Sequence, residues 1–278
     1  MKLNRINVIA ASAMLVLAVL AGCSNKKNEP VGKVKDACGN EYNYVKMGDQ
    51  YWMAENMRCN KYDSWSELSH ETINFAEDPN DLYKPYYTIA SDQTQWSSAA
   101  FSGGLSSDQV SRLGYLYNWA AAVGIATEIM TLKQYDAFEK KRQGICPNGW
   151  HVPTSTEWAV LKDFIENRDS KGKNTAGKHL KTTSGWYGNK KNDDIYSFAA
   201  LPSGRSNVVM IDAVGKEAHF WTATPCVLTI ETVTDEETKE TYKINKQSDF
   251  FFMASDRDIL DSNHNSKTLA KSVRCVKD

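Results

Sequence analysis

The sequence lacks several features that would assign it to a common class of protein. Among its 278 residues, 33 are Lys or Arg and 34 are Asp or Glu, so no basic excess suggests a nucleic-acid partner. Only 7 prolines are present and no low-complexity run divides the chain, which favours one large domain. It contains no Gly-x-Ser-x-Gly, P-loop or His-Glu-x-x-His motif. None of the best-known catalytic motifs can therefore be recognised.

A short apolar segment is present at the N-terminus. It runs over residues 8–20 after the basic residues Lys2 and Arg5. A membrane-spanning helix needs about 20 apolar residues, so this segment is too short to be one. Ala21-Gly22 then precede Cys23. This order is typical of a signal peptide and resembles the bacterial lipoprotein signal family.

That resemblance implies cleavage before Cys23 and acylation of its thiol and new amino group. Two or more acyl chains hold a protein stably on a membrane. We therefore expect a signal peptide at 1–22, a lipid-anchored flexible tether at 23–35 and one domain at 36–278. The expected location is the bacterial cell envelope, at the outer membrane, with the surface and periplasmic faces both open.

Five further cysteines follow Cys23, so at least one thiol lies outside any disulfide. Their spacings do not resemble a zinc site. Residues 42–47 and 50–55 predict two strands joined by a type II′ turn at Gly48-Asp49, which pairs residues whose numbers sum to 97. Cys38 and Cys59 obey this sum. If the ladder continues that far, their Cα atoms approach to about 4.5 Å, which favours a disulfide over two unrelated buried thiols.

The clearest helix follows Pro153, where Thr154 and Glu157 predict a capping box. A second helix is expected from Asn118, and a third over residues 131–143. The segment 174–187 is expected to turn frequently. Predicted strands are 198–201, 208–213, 218–223, 250–254 and 271–277, with a projecting hairpin formed by 227–233 and 241–246. Strands mixed irregularly with few helices predict an α+β fold.

Several motifs occur together in one order. They are Gly39-Asn40-Glu41-Tyr42, Gln50-Tyr51-Trp52-Met53-Ala54-Glu55-Asn56, Leu116-Tyr117-Asn118-Trp119, Cys146-Pro147-Asn148-Gly149-Trp150-His151-Val152-Pro153-Thr154, Glu157-Trp158, Phe198-Ala199-Ala200-Leu201-Pro202-Ser203-Gly204, Phe220-Trp221 and Ser272-Val273-Arg274-Cys275-Val276-Lys277. With them the chain resembles the Fibrobacter succinogenes major paralogous domain family from residue 36 to 277. The segment from His151 to Trp158 is also similar to one in formylglycine-generating enzymes. That similarity implies a single C-type-lectin-like domain with twisted antiparallel sheets and long loops.

The family resemblance also implies a second disulfide, between Cys146 and Cys275. Cys226 is then the odd thiol. The stretch 224–247 departs from the family pattern and is interpreted as an inserted hairpin.

Two residues could be taken for catalytic groups. His151 lies beside Trp150, yet no nucleophile stands at a recognisable spacing, so a structural role is favoured. Glu157 could act as a general acid, although the capping box accounts for it without chemistry.

Two sets of residues are candidates for ligand binding. Asp256, Asp258, Asp261, Asn263 and Asn265 predict an oxygen-rich loop that calcium could occupy, although a solvated polar loop is the simpler interpretation. Three tryptophans in polar, turn-rich segments could stack on a sugar, namely Trp65, Trp96 and Trp186. The others are expected in the core: Trp52, Trp119, Trp150, Trp158 and Trp221.

The leading functional hypothesis is a non-enzymatic envelope lipoprotein that binds or adheres to an extracellular glycan or protein, without a cofactor. The alternative is an enzyme distantly related to formylglycine-generating oxidases. Those enzymes use a close pair of cysteines near the C-terminal end, and Cys275 has no near partner in the sequence.

Overall fold

The computed structural model describes residues 27–62, 65–70, 84–90, 106–124, 141–169, 172–188, 191–207, 210–226, 230–234, 239 and 241–278. The helices in these residues are α1 (Ser107–Leu113), α2 (Trp119–Val123), α3 (Ser155–Arg168) and α4 (Ala176–Leu180). The strands are β1 (Gly32–Lys35), β2 (Glu41–Met47), β3 (Gln50–Met53), β4 (Lys61–Tyr62), β5 (Trp65–Glu67), β6 (Ser69–His70), β7 (Tyr86–Ile89), β8 (Tyr115–Tyr117), β9 (Trp150–His151), β10 (Arg205–Ser206), β11 (Ile211–Asp212), β12 (Glu217–Pro225), β13 (Ile230–Thr234), β14 (Thr241–Asn245), β15 (Gln247–Ala254), β16 (Asp261–Ser266) and β17 (Val276–Lys277). Strands predominate, in an α+β arrangement as predicted.

The largest sheet has the antiparallel order β1-β2-β3-β17-β9. Its β2–β3 hairpin has the predicted register, with Val45 opposite Trp52 and Met47 opposite Gln50. Gly48 has φ +61°, which the first position of a type II′ turn requires and which other residues adopt only at a cost. The predicted hairpin is therefore confirmed.

Cys38 and Cys59 are bonded, with their Cα atoms 5.5 Å apart. The ladder does not reach them, because β3 ends at Met53. Cys38 instead lies in a turn where its N–H and that of Asn40 donate to the Asp36 carboxylate, each at 2.9 Å. The pairing is confirmed, but the continuous ladder from which it was predicted is wrong. A carboxylate-centred turn places Cys38.

Residues 27–35 lie against the domain, although the sequence predicts a flexible tether through residue 35. The Asn28 N–H donates to the Ile195 carbonyl at 2.7 Å, and β1 pairs with β2. Lys27 Nζ lies 2.9 Å from an Asp194 oxygen. The predicted boundary is wrong here because hydrogen bonds to an existing strand hold a polar segment that has no apolar pattern of its own.

Helix α3 packs on the sheet β12-β15-β16. Its N-cap Thr154 accepts from the Glu157 N–H, and the Glu157 carboxylate accepts from the Thr154 N–H at 2.9 Å. Trp158 is fully buried and stacks on Phe251 with ring centroids 5.4 Å apart. The predicted helix and capping box are confirmed. They position Trp158 in the apolar layer between the helix and the sheet.

Other predicted elements are confirmed in part. Asn118 caps α2, and β13 pairs with β14 as the predicted hairpin. The segment 198–201 is not a strand, since Ala199 has φ +53° and the segment forms a single bridge through Ala200. Of the predicted strand 208–213 only β11 is present among the described residues, and of 271–277 only β17 is a strand beyond isolated bridges. Helix α4 lies within the segment predicted to turn, and most of the predicted helix 131–143 lies outside the described residues.

The five tryptophans expected in the core are buried, each with 4% or less of its surface exposed. A second disulfide joins Cys146 to Cys275, both buried, as the family resemblance implied. Cys226 is a buried thiol outside both disulfides. No helix in the described ranges is both long enough and apolar enough to cross a bilayer.

Candidate binding groove

Three clefts adjoin along helix α1 and form what we call the α1 groove. The first, of about 390 Å³, is lined by Asn40, Arg58, Ile89, Ser107, Val110, Ser111 and Tyr115. The central cleft, of about 230 Å³, is lined by Ala54, Glu55, Asn56, Arg58, Ser111, Arg112, Thr182, Ala199, Leu201 and Arg274. The third, of about 90 Å³, contacts Gln109, Arg112, Leu113, Ser184, Gly185, Leu201 and Pro202. Arg58 and Ser111 line both the first and the central cleft, and Arg112 and Leu201 line both the central and the third, so the three clefts are neighbours.

Arg274 forms the buried end of the central cleft and is 1% exposed. Its Nε and Nη2 donate to Asn56 Oδ1, and its Nη1 donates to the carbonyls of Met53 and Phe198. These bonds use four of the five N–H groups of a guanidinium. No described carboxylate contacts the guanidinium, and desolvation lowers the pKa of Arg274 to about 9.

Two further arginines lie nearer the opening. Arg58 Nη1 lies 3.2 Å from a Glu55 oxygen, and its guanidinium covers the Tyr42 ring at 4.4 Å. Arg112, in the last turn of α1, is exposed and forms no ion pair with a described residue. It separates the central and third clefts, so its guanidinium is available to a ligand in either.

A stack of three rings borders the first cleft. His70 lies 4.9 Å from Tyr87 with ring planes 12° apart, and Tyr87 lies 4.9 Å from Tyr115 with planes 20° apart. Strands β6, β7 and β8 bring them onto one face of a sheet. His70 is exposed, and the two tyrosines are half-buried. Desolvation, and then Tyr87, raises the pKa of Tyr115. Tyr87 lies between the other two rings, and Tyr115 is the ring of the stack that lines the first cleft, beside polar side chains.

Asp36 supports the wall behind Arg58. Its carboxylate accepts from the Tyr42 hydroxyl at 2.6 Å and from Asn40 Nδ2 at 3.0 Å. Burial and this hydrogen bond raise the pKa of Tyr42. The Tyr42 hydroxyl in turn accepts from the Arg58 N–H at 3.0 Å. The backbone of Arg58 is therefore held by buried polar contacts.

A separate cleft of about 250 Å³ opens at the start of α3. It is lined by Ser155, Asp249, Phe251, Ser262, Asn263 and His264. Ser155 Oγ donates to Asp249 at 3.0 Å, and Asp249 is opposite His264 in the ladder. Desolvation raises the pKa of Asp249. Two of its lining residues carry aromatic rings, the exposed His264 and Phe251, and Phe251 is buried against Trp158.

His151 is 1% exposed and lies between two carboxylates. Its Nδ1 is 2.6 Å from Asp278, and its Nε2 is 2.8 Å from Glu157. Desolvation raises the pKa of Glu157, but hydrogen bonds from His151 and Thr154 lower it below the ordinary value overall. His151 and Glu157, for which a structural role was predicted, thus belong to one hydrogen-bond network. This network connects Asp278 to the N-terminal cap of α3.

Two buried lysines lie over tryptophan rings. Lys267 Nζ is 4.1 Å from the Trp119 ring centroid, and Lys271 Nζ is 4.5 Å from that of Trp221. Lys271 Nζ has no hydrogen-bond partner among the described residues. Desolvation lowers the pKa of each lysine to about 7.

The predicted oxygen-rich loop is present only in part: Asp256 and Asp258 lie between β15 and β16, but Asp261–Ser266 is the edge strand β16. The Lys267 N–H donates to the Lys246 carbonyl, so these two residues are a hydrogen-bonded pair that continues the ladder of β15 and β16. In an antiparallel ladder such pairs alternate with pairs that are not hydrogen-bonded. Every second N–H of β16 therefore points away from β15. Each outward N–H is capped by the side-chain oxygen of the preceding residue at 2.8–2.9 Å, in the pairs Asp261–Ser262, Asn263–His264 and Asn265–Ser266.

The calcium prediction rested on a loop that would gather five side-chain oxygens, and three of the five residues lie on a strand instead. Three of its five residues, Asp261, Asn263 and Asn265, use a side-chain oxygen to cap their own strand, and Asp256 lies 3.4 Å from Arg257. In the described ranges, a close group of three His, Cys, Asp or Glu ligand atoms occurs at Asp36, Cys38 and Cys59. Both cysteines there form a disulfide.

The other predicted site residues are placed as follows. Trp186 is half-buried, and its Nε1 donates to Thr182 Oγ1 and to the Ala200 carbonyl, each at 3.1 Å. Thr182 lines the central cleft, so Trp186 supports the groove wall from behind. Trp65 is the first residue of β5, where the structure describes the backbone alone. Cys23 and Trp96 lie outside the described residues.

The arginines and stacked rings of the groove were not predicted from the sequence. The alternation Tyr115-Leu116-Tyr117 could have placed two tyrosines on one face of a strand. Arg274 was visible as a charge inside the apolar terminal motif, which is where a buried functional cation would be sought. No periodic pattern in the sequence connects Arg58 or Arg112 to the tyrosines of β8 or to Arg274.

Comparison with known proteins gives one match. The profile described as the Fibrobacter succinogenes major domain matches residues 45–277. No curated protein and no solved structure matches the chain.

Proposed function

The chain belongs to the Fibrobacter succinogenes major domain family, and from this premise we propose that it is a non-enzymatic, lipid-anchored envelope protein that binds glycan in the α1 groove. One observation carries the proposal, namely the ring stack of His70, Tyr87 and Tyr115 beside a polar cleft. The C–H face of a pyranose packs on the electron-rich face of an aromatic ring. Polar groups at the edge of such a surface can then bond the sugar hydroxyls.

The C-type-lectin-like architecture is part of this proposal. Pairing of β3 with β17 supports it, since it joins the beginning and the end of the domain in one sheet. The non-enzymatic role is supported by the engagement of His151 and Glu157 in the α3 cap and of Cys275 in a disulfide. A formylglycine-type oxidase would need two cysteines close together that are available as thiols, whereas the cysteine next to Cys275 is Cys146, to which it is bonded.

A glycan array probed with the full-length protein in detergent tests the binding function. We expect retention of at least one polysaccharide class and a loss of about tenfold or more in affinity for Tyr87→Ala with Tyr115→Ala. Tyr187→Ala is the matched control, because Tyr187 is 49% exposed and lies outside the groove. An array on which no glycan is retained, or an equal loss in the control, contradicts the proposal.

The anchor is tested separately in cells. Cys23→Ala should abolish incorporation of labelled palmitate and release the protein from the membrane fraction. A mutant that still incorporates palmitate and still fractionates with membranes contradicts lipidation at Cys23.

A further inference from the structure

We propose that the glycan bound in the α1 groove is acidic, and that its sugar carboxylate is held by Arg112 together with Arg274. This inference rests on the proposed glycan binding and names the chemical class of the ligand. It follows from the charges that line the groove and from the hydrogen bonds that those charges leave unused.

The groove is cationic although the chain is not. Its lining residues include Arg58, Arg112 and Arg274 against the single carboxylate of Glu55, which is three positive charges minus one negative, or +2. The whole chain has a formal net charge of −1. The positive charge is therefore concentrated on this surface and would favour an anionic partner.

Glu55 neutralises only one part of the groove. Its Oε2 lies 3.2 Å from Arg58, and its Oε1 accepts from the backbone N–H and the Nδ2 of Asn43, both at 3.0 Å. The carboxylate is thus occupied on both oxygens. It makes no direct contact with Arg112 or Arg274, although the charges of Glu55 and Asp194 act on Arg274 from a distance and raise its pKa against the effect of burial.

Arg274 supplies a built, buried donor at the floor of the central cleft. One N–H of Nη2 remains beyond the four that bond Asn56, Met53 and Phe198. A buried guanidinium without a contacting carboxylate is costly, and an anion in the cleft would offset that cost. Asn56 fixes the guanidinium plane, so the remaining N–H has a defined direction before the ligand arrives.

Arg112 supplies the second, exposed donor at the mouth of the same cleft. Guanidinium groups bind carboxylates through two parallel hydrogen bonds, which gives geometric selectivity as well as affinity. The central cleft, at about 230 Å³, has room for one sugar residue, and the adjoining first cleft leads to the ring stack. A chain of sugars can thus place a carboxylate on the arginines while a neighbouring unit lies on Tyr115.

The test compares two probes with the same sugar backbone, an oligogalacturonate with free carboxylates and the same oligomer with its carboxylates methyl-esterified. Titration calorimetry on the full-length protein in detergent should show at least about tenfold tighter binding of the acid. This preference should shrink as salt rises, because the Arg112 pair is partly exposed to solvent.

Arg112→Gln should lower the preference severalfold with an unchanged melting temperature, because Arg274 remains in the cleft. The control Arg257→Gln should retain it, since Arg257 is a partly exposed arginine that lines none of the three clefts. Equal binding of acid and ester, or a preference that Arg112→Gln leaves undiminished, overturns the acidic ligand and leaves glycan binding in place. Failure of both probes overturns this inference as well. If the array also retains no glycan, the proposed function fails with it.

Discussion

Lys271 lies in the core with its ammonium nitrogen over aromatic rings instead of against a carboxylate. The nitrogen is 4.5 Å from the Trp221 ring and 4.4 Å from the Phe250 ring. The ring faces compensate a charged amine only in part, and burial disfavours the charged form. Its pKa of about 7 in the folded state, against 10.5 in the unfolded chain, makes the folded protein release a proton that the unfolded chain keeps.

This difference predicts the direction of the pH dependence. Between about pH 7 and 10.5 the unfolded state binds more protons at Lys271, so the free energy of unfolding should rise with pH across that interval. Lys271→Met should stabilise the protein by roughly 2–4 kcal/mol at and below pH 7. It should make the rise less steep without removing it, because the pKa of Lys267 is lowered to about 7 as well. Urea unfolding at a series of pH values measures both effects.

Lys35→Met serves as the control, because Lys35 is exposed on β1. Its profile should match the unmodified protein. An unchanged slope in Lys271→Met would mean that Lys271 is solvated in the folded state and would contradict its placement in the core.

Strand β16 protects the edge of its sheet through several side chains acting together, which no one of its residues shows alone. It forms the edge of its sheet, and edge strands with bare N–H groups pair with other molecules. The Asx side chains cap those N–H groups. We therefore predict that replacing Asp261, Asn263 and Asn265 together by Thr produces concentration-dependent association.

Analytical ultracentrifugation measures this association directly. The control replaces Ser262 and His264 by Thr on the same strand and leaves the three caps intact. It should stay in the association state of the unmodified protein. If the triple variant also does so at the highest concentration tested, the caps have no protective role.

The two disulfides act on the molecule as a whole and to different degrees. Cys146 and Cys275 are 129 residues apart in sequence, whereas Cys38 and Cys59 are 21 apart. Closing a longer loop removes more entropy from the unfolded chain. We predict that replacing Cys146 and Cys275 by Ala lowers the free energy of unfolding by about 5 kcal/mol. Replacing Cys38 and Cys59 by Ala should lower it by about 3 kcal/mol.

Urea unfolding of both double variants, without reductant, checks the order of the two losses. The reverse order would show that local packing around Cys38 outweighs loop closure.

Local physics made part of this fold predictable. The Gly48 turn sets a register by itself, and the Thr154 cap needs only the residue three positions later, so both were predicted correctly. The strand expected at 198–201 failed because Ala199 takes a positive φ that only its surroundings impose. The tether boundary failed for a similar reason, since β1 is held by its partner strand.

The groove was out of reach for a different reason. Arg274 bonds Asn56 across 218 residues, and the rings of Tyr87 and Tyr115 meet through a sheet whose strands are short. Short strands carry little periodic signal, and a bond between distant residues carries none. Such a site emerges only from the assembled topology.

The docking of residue 28 onto the domain would set how far the domain can lie from a lipid attached at Cys23. If lipid is attached at Cys23, five Cα steps separate the bilayer surface from Asn28, a span of at most about 18 Å. A tether reaching residue 36 would have spanned about 45 Å over thirteen steps. With so short a connection the domain would lie close to the lipid headgroups and move within a small volume. A ligand would then have to come close to the membrane to be bound.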